Sequence, residues 1–131
     1  MKRIHVLVMV IGMFVYDGCS DMGDEPRIDV RVSPPPVVSF RTQILPVFQR
    51  YGCESCHGGS GGLFLQTVAA ILQGGDHGAA VVPGNPDSSL ILKKLSSLPP
   101  FGDRMPQGGP YLPDSTITTI RNWIAQGARD N

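Results

Sequence analysis

Apolar residues along this chain form one long block at the amino terminus and then short clusters broken by proline and glycine. Lys2 and Arg3 precede Ile4 to Tyr16, a 13-residue stretch interrupted only by His5 and Gly12. Crossing a bilayer takes about 20 apolar residues, so the block reads as the hydrophobic region of an export signal. Further on, Phe40, Ile44, Val47, Phe48 and Tyr51 fall near helical spacing. Pro46 lies among them, so this helix starts near Leu45 or is kinked there. Thr67 to Gln73 predicts one or two turns, closed by Gly74-Gly75. Asn85 and Pro86 read as a cap and a first-turn proline that open a helix over Asp87 to about Ser96, and Pro99-Pro100 ends it. The clearest pattern is the last. Asp114 or Ser115 caps a helix in which Ile117, Ile120, Ile124 and Ala128 recur at three and four residues, with Trp123 beside them and Gly127 at the end. No stretch alternates well enough to predict a strand, so the expected class is all-α.

Between the two regions, residues 20–38 carry Asp21, Asp24, Glu25 and Asp29 and then Pro34-Pro35-Pro36. This composition has little to bury and predicts an extended, semi-rigid tether. Residues 39–131 form the expected globular unit, with seven basic and six acidic side chains. The whole chain has 11 basic and 11 acidic residues, and that balance argues against a nucleic-acid partner. Sixteen glycines and twelve prolines among 131 residues leave little room for long helices. A unit so poor in regular structure is expected to need a metal, a cofactor or crosslinks. Three cysteines do not make a purely disulfide-stapled scaffold.

The chemistry concentrates in Cys53-Glu54-Ser55-Cys56-His57. A C-x-x-C-H run is the attachment signal of c-type haem. Two thiols three positions apart reach the two vinyl groups on one porphyrin edge, and the adjacent imidazole turns under the ring to bind iron. Three other readings compete. Cys53 and Cys56 could be a thioredoxin-like redox pair, but the α/β context is missing. They could bind zinc with His57 and His77, but there is no second well-separated pair. They could form an inert disulfide. For the opposite side of the iron, Met105 is the only methionine of residues 39–131. It stands on a proline-rich loop, where Pro106 favours an extended backbone. A core methionine is usually a gap-filler. His77, in Gly74-Gly75-Asp76-His77-Gly78, is the competing ligand, although that segment reads more simply as a solvated turn.

With these features in order, the chain resembles small bacterial cytochrome c domains of class I type, from about Phe40 to Ala128. The resemblance rests on Ile44-Leu45-Pro46 running into Cys53-x-x-Cys56-His57, and on Gly61-Gly62-Leu63-x-Leu65. It continues with Val82-Pro83-Gly84-Asn85-Pro86-x-Ser88-x-Leu90, Arg104-Met105-Pro106, and Ile120-x-x-Trp123-Ile124-x-x-Gly127-Ala128. It implies one covalent haem c bound through Cys53 and Cys56, with His57 as proximal and Met105 as distal ligand. It also implies first and last helices that pack beside the haem, and a Pro83 carbonyl that orients His57. Phe48, Leu63, Leu65, Leu90, Ile91, Leu95, Leu112, Ile120 and Ile124 are candidates for the apolar shell. Asp17-Gly18-Cys19-Ser20, directly after the hydrophobic block, resembles a bacterial lipoprotein processing site, although Tyr16 and Asp17 depart from its usual pattern. Lipidation at Cys19 competes there with an ordinary cleaved signal, an uncleaved anchor or a buried terminal element.

The expected organisation is a signal peptide over 1–18, a lipidated cysteine and tether over 19–38, and a cytochrome c domain over 39–131. A six-coordinate iron has no open position for a small-molecule substrate, which favours electron transfer between redox protein partners over catalysis. The expected place is the periplasmic side of a bacterial membrane, held by a lipid anchor. Two alternatives stay open: a haem subunit of a larger oxidoreductase, and a peroxidase-like or gas-sensing protein in which Met105 is off the iron.

Overall fold

The computed structural model describes residues 35–131. The expected signal peptide, Cys19 and most of the tether lie outside them. The described residues are helices and turns, with isolated β-bridges only at Gly58–Phe64 and Gly75–Gly78, so the all-α expectation holds. No helix among them is long and apolar enough to cross a membrane.

A π-helical turn over Phe40–Ile44 leads directly into α1, Leu45–Arg50. Pro46 stands in the first turn of α1, where a missing N–H costs nothing. The wider turn before it accommodates the junction that the proline enforces. Gly52 then adopts φ 65°, a left-handed conformation that favours glycine, and turns the chain into α2, Cys53–Cys56. A 3-10 turn over Ser60–Gly62 and α3, Val68–Gln73, follow. Thr67 caps α3 by accepting from the Ala70 N–H at 3.2 Å.

The next element differs from expectation. Asn85 does cap, accepting from the Ser88 N–H at 3.1 Å, but only a 3-10 turn over Pro86–Ser88. The continuous helix expected over 87–96 is interrupted at Ser89, which is extended at φ −78° and ψ 118°, and α4 runs only from Leu90 to Leu95. Ser89 is fully buried. Its hydroxyl donates to Asn85 O and accepts from Val82 N, both at 2.9 Å. The carbonyls of Ala79 and Ala80 accept from the Leu90 and Ile91 N–H groups at 3.4 and 3.0 Å. These bonds satisfy donors that a helix start leaves open.

The last helix, α5, spans Asp114–Ala125 and is flanked by Pro113 rather than capped by Asp114 or Ser115. It packs on the first helical segment, as the resemblance implied. Phe40 and Trp123 rings lie 5.5 Å apart, and the Trp123 indole N–H donates to Arg129 O at 3.0 Å. Ile44, Phe48, Ile71, Ile120, Trp123 and Ile124 form the centre of the core. Residues 36–38, read from sequence as the end of the tether, dock on this unit. Val38 is buried, its N–H donates to Gln126 Oε1 at 2.8 Å, and the Gln126 amide donates to Pro36 O at 3.1 Å. The two ends of the unit are also clasped. Arg41 N and Ser39 Oγ donate to Asn131 O at 3.1 and 2.6 Å, and Phe40 N donates to Asn131 Oδ1 at 3.0 Å.

Candidate functional site

Beside this core the short helices and their loops leave a cavity of about 330 Å³. That is near the lower end of the range for cofactor pockets, roughly 300–1,000 Å³. Phe48, Leu63, Leu65, Leu90, Ile91, Leu95 and Leu112 line it. These are seven of the nine side chains nominated from sequence as an apolar shell. The other two, Ile120 and Ile124, are fully buried and do not line the cavity; they belong to the packing of α5.

Cys53 and His57, from the same short run, and Met105, far along the chain from them, line this same cavity. Cys56 is exposed and is not part of the lining. Burial pushes the Cys53 thiol above its ordinary range, with smaller upward contributions from Glu54 and Cys56. Neither thiol is in a disulfide. Among the described residues, no three His, Cys, Asp or Glu side chains come together as a metal-ion site, and the zinc reading finds no ligand set there.

His57 is held on two sides. Its carbonyl accepts from Leu65 N at 3.2 Å, and its Nδ1 faces Ser60 O at 3.3 Å. When Nδ1 carries the proton, Nε2 is left free as a metal ligand. The expected partner was the Pro83 carbonyl. Ser60 takes that place because the Gly59–Gly62 turn folds back over the end of α2. The sequence offers glycines as the signal for this turn but does not say which carbonyl would face the ring.

Met105 is positioned through its backbone. Its N–H donates to Lys94 O at 2.8 Å, and the neighbouring Arg104 guanidinium donates to Leu95 O at 2.9 Å while covering the Tyr111 ring at 4.2 Å. Two adjacent carbonyls at the end of α4 therefore hold the loop that carries the thioether. His77 also lines the cavity, and its ring stacks on Phe101 with centroids 4.2 Å apart. It is exposed, as a turn residue should be, yet it faces the site. Lys94 is a lining residue that the sequence reading did not single out. Its i−4 and i−3 neighbours Leu90 and Ile91 both line the cavity, and that spacing is the signal that could have found it.

The wall suits a large flat apolar ring, with a thiol and an imidazole on α2 and its exit and a thioether on the 105 loop. Residues 53–106 match the family model of planctomycete cytochrome C. The matched stretch begins at the first cysteine of the C-x-x-C-H run and ends just past Met105. The match supports a cytochrome c-type domain, and with it a haem-binding cytochrome in general and an electron carrier rather than a catalyst. A cytochrome c-type domain implies covalent haem c. The apolar lining and the donor set described above fit that group. No curated protein and no solved structure matches the chain.

Proposed function

We propose that this chain is a monohaem c-type cytochrome that passes single electrons between redox proteins. The observation that carries the reading is the convergence of Cys53, His57 and Met105 on one apolar cavity. Cys53 and Cys56 would hold the porphyrin through thioethers, and His57 and Met105 would be the two protein ligands of the iron. Haem c supplies a one-electron iron couple when bound.

The remaining work falls to the protein. Ser60 O fixes the His57 ring. The Lys94 and Leu95 carbonyls hold the Met105 loop, so that the ligand need not be found anew in each oxidation state. The apolar wall disfavours net charge in the cavity, and a thioether ligand favours ferrous iron; both raise the potential. Cys56 is exposed, so the thioether edge would lie near the surface, where a protein partner can approach. Export to the periplasmic side of a bacterial membrane and lipid attachment at Cys19 are part of this proposal. They are supported by the amino-terminal sequence pattern.

One observation favours a second reading. His77 lines the same cavity as Met105 and offers an alternative axial donor. With His77 in place of Met105 the iron would still carry two protein ligands, both imidazoles, and would work as an electron carrier at a lower potential.

Intact mass and visible spectra of the mature protein test the proposal together. The expected result is one covalent haem, a lipid-modified amino terminus, and the weak long-wavelength band of methionine-ligated ferric iron. Colourless protein would sink the haem reading. Haem without that band, together with slow carbon monoxide binding to the reduced protein, would favour the second.

A further inference from the structure

Haem c carries two carboxylates on the edge opposite its thioethers, and an apolar cavity wall cannot solvate them. Burying such a charge without a partner is costly. Lys94 is the one lysine or arginine among the residues lining the cavity. Its stem is half-buried on α4, and its ammonium is already immobilised. It donates to Phe101 O and to Asp103 O at 2.7 Å, and it lies 4.6 Å from the centre of the Phe101 ring. An ammonium has three donors, and two are used by these carbonyls. Asp103 also lines the cavity, but its carboxylate is engaged by the Gln107 amide at 2.7 Å and does not pair with Lys94. His77, across the Phe101 ring, is the other basic group at this part of the wall.

We infer that the third donor of Lys94 anchors a haem carboxylate, which makes Lys94 a positioning residue for the cofactor. The inference rests on the haem reading above. It ties the cofactor to the loop that carries Met105, because the Lys94 ammonium holds the 101–103 segment while the Lys94 carbonyl accepts from Met105 N. One residue would thus bind the porphyrin's charge and set the approach of its distal ligand.

The chain has three lysines, Lys2, Lys93 and Lys94. Lys93 is exposed and serves as an internal control. In reduced holoprotein labelled with [15N]lysine, the Lys94 ammonium should exchange slowly with water and show contacts to the propionate methylenes of the haem; Lys93 should do neither. K94Q should shift the propionate bending band in resonance Raman spectra and lower the midpoint potential, since a positive charge near the iron favours the ferrous state. K94R should retain the band position and most of the potential. A Lys94 signal that exchanges as fast as that of Lys93, or a propionate band unmoved by K94Q, would overturn the inference. The labelling experiment needs no variant, so it decides the question even if K94Q fails to retain haem. Absence of haem from the wild-type protein would instead strike the underlying reading, and that outcome is visible in the absorption spectrum.

Discussion

Gly75 sits where two glycine-rich turns meet. A Cβ there would lie 2.5 Å from Gly61 O and 3.3 Å from Leu63 Cβ, and the first of these is backbone, which cannot swing away. The same contact region holds the Asp76 N–H bond to Gly61 O at 2.8 Å and abuts the turn that presents the Ser60 carbonyl to His57. Gly75→Ala should destabilise the holoprotein by about 1–3 kcal/mol, as overpacking does, read as a lower thermal midpoint. Met105→Ala acts at the same scale on function. It should abolish the long-wavelength ferric band, lower the potential and open the reduced iron to carbon monoxide, while covalent haem is retained on mass analysis. Cys53, His57 and Met105 could be named from sequence because their chemistry is carried by residue type and by local spacing. The Ser60 carbonyl could not, since every residue has one and only the fold of the turn selects it. Lys94 was hidden for a similar reason: a lysine in an amphipathic helix normally reads as solvated.

Among the elements, the segment before α4 shows where local signals stop being sufficient. Asn85-Pro86 opened a helical turn as its residue types dictate, yet the helix did not run on. Ser89 bridges Asn85 O and Val82 N, and these side-chain bonds to the nearby backbone break the element where helix propensity is only mildly against it. Ser89→Ala should leave the half-buried Val82 N–H without its partner and cost about 1–3 kcal/mol. Urea unfolding of the holoprotein should show a lower midpoint with an unchanged slope. The last helix was legible nearly throughout because its stripe of Ile117, Ile120 and Ile124 is periodic and its apolar face is buried by the first segment. Its start was placed one or two residues late, at a cap on Asp114 or Ser115, since Pro113 supplies the bend that a polar cap otherwise would.

Over the whole molecule, the core and the cavity draw on the same short helices. Mostly apolar side chains line a space that the protein does not fill with its own atoms. Removing a cofactor from such a space forfeits both burial and dispersion contacts. Cys53→Ser combined with Cys56→Ser should therefore give protein that accumulates poorly and lacks a cooperative thermal transition. Well-dispersed NMR spectra from that haem-free chain would contradict this. The glycine and proline content pointed towards a cofactor, and the shell was legible in outline. The division between wall and helix packing was not, because Ile120 and Leu112 look alike in sequence and differ only in which neighbour the fold gives them.

The meeting of Ser39, Phe40 and Arg41 with Asn131 has a consequence for engineering. Polypeptide appended after residue 131 begins beside the point where residues 36–38 dock. A short peptide bridge from 131 back to 36 would close the backbone into a ring. It would remove chain entropy from the denatured ensemble while leaving the existing hydrogen bonds between those ends in place.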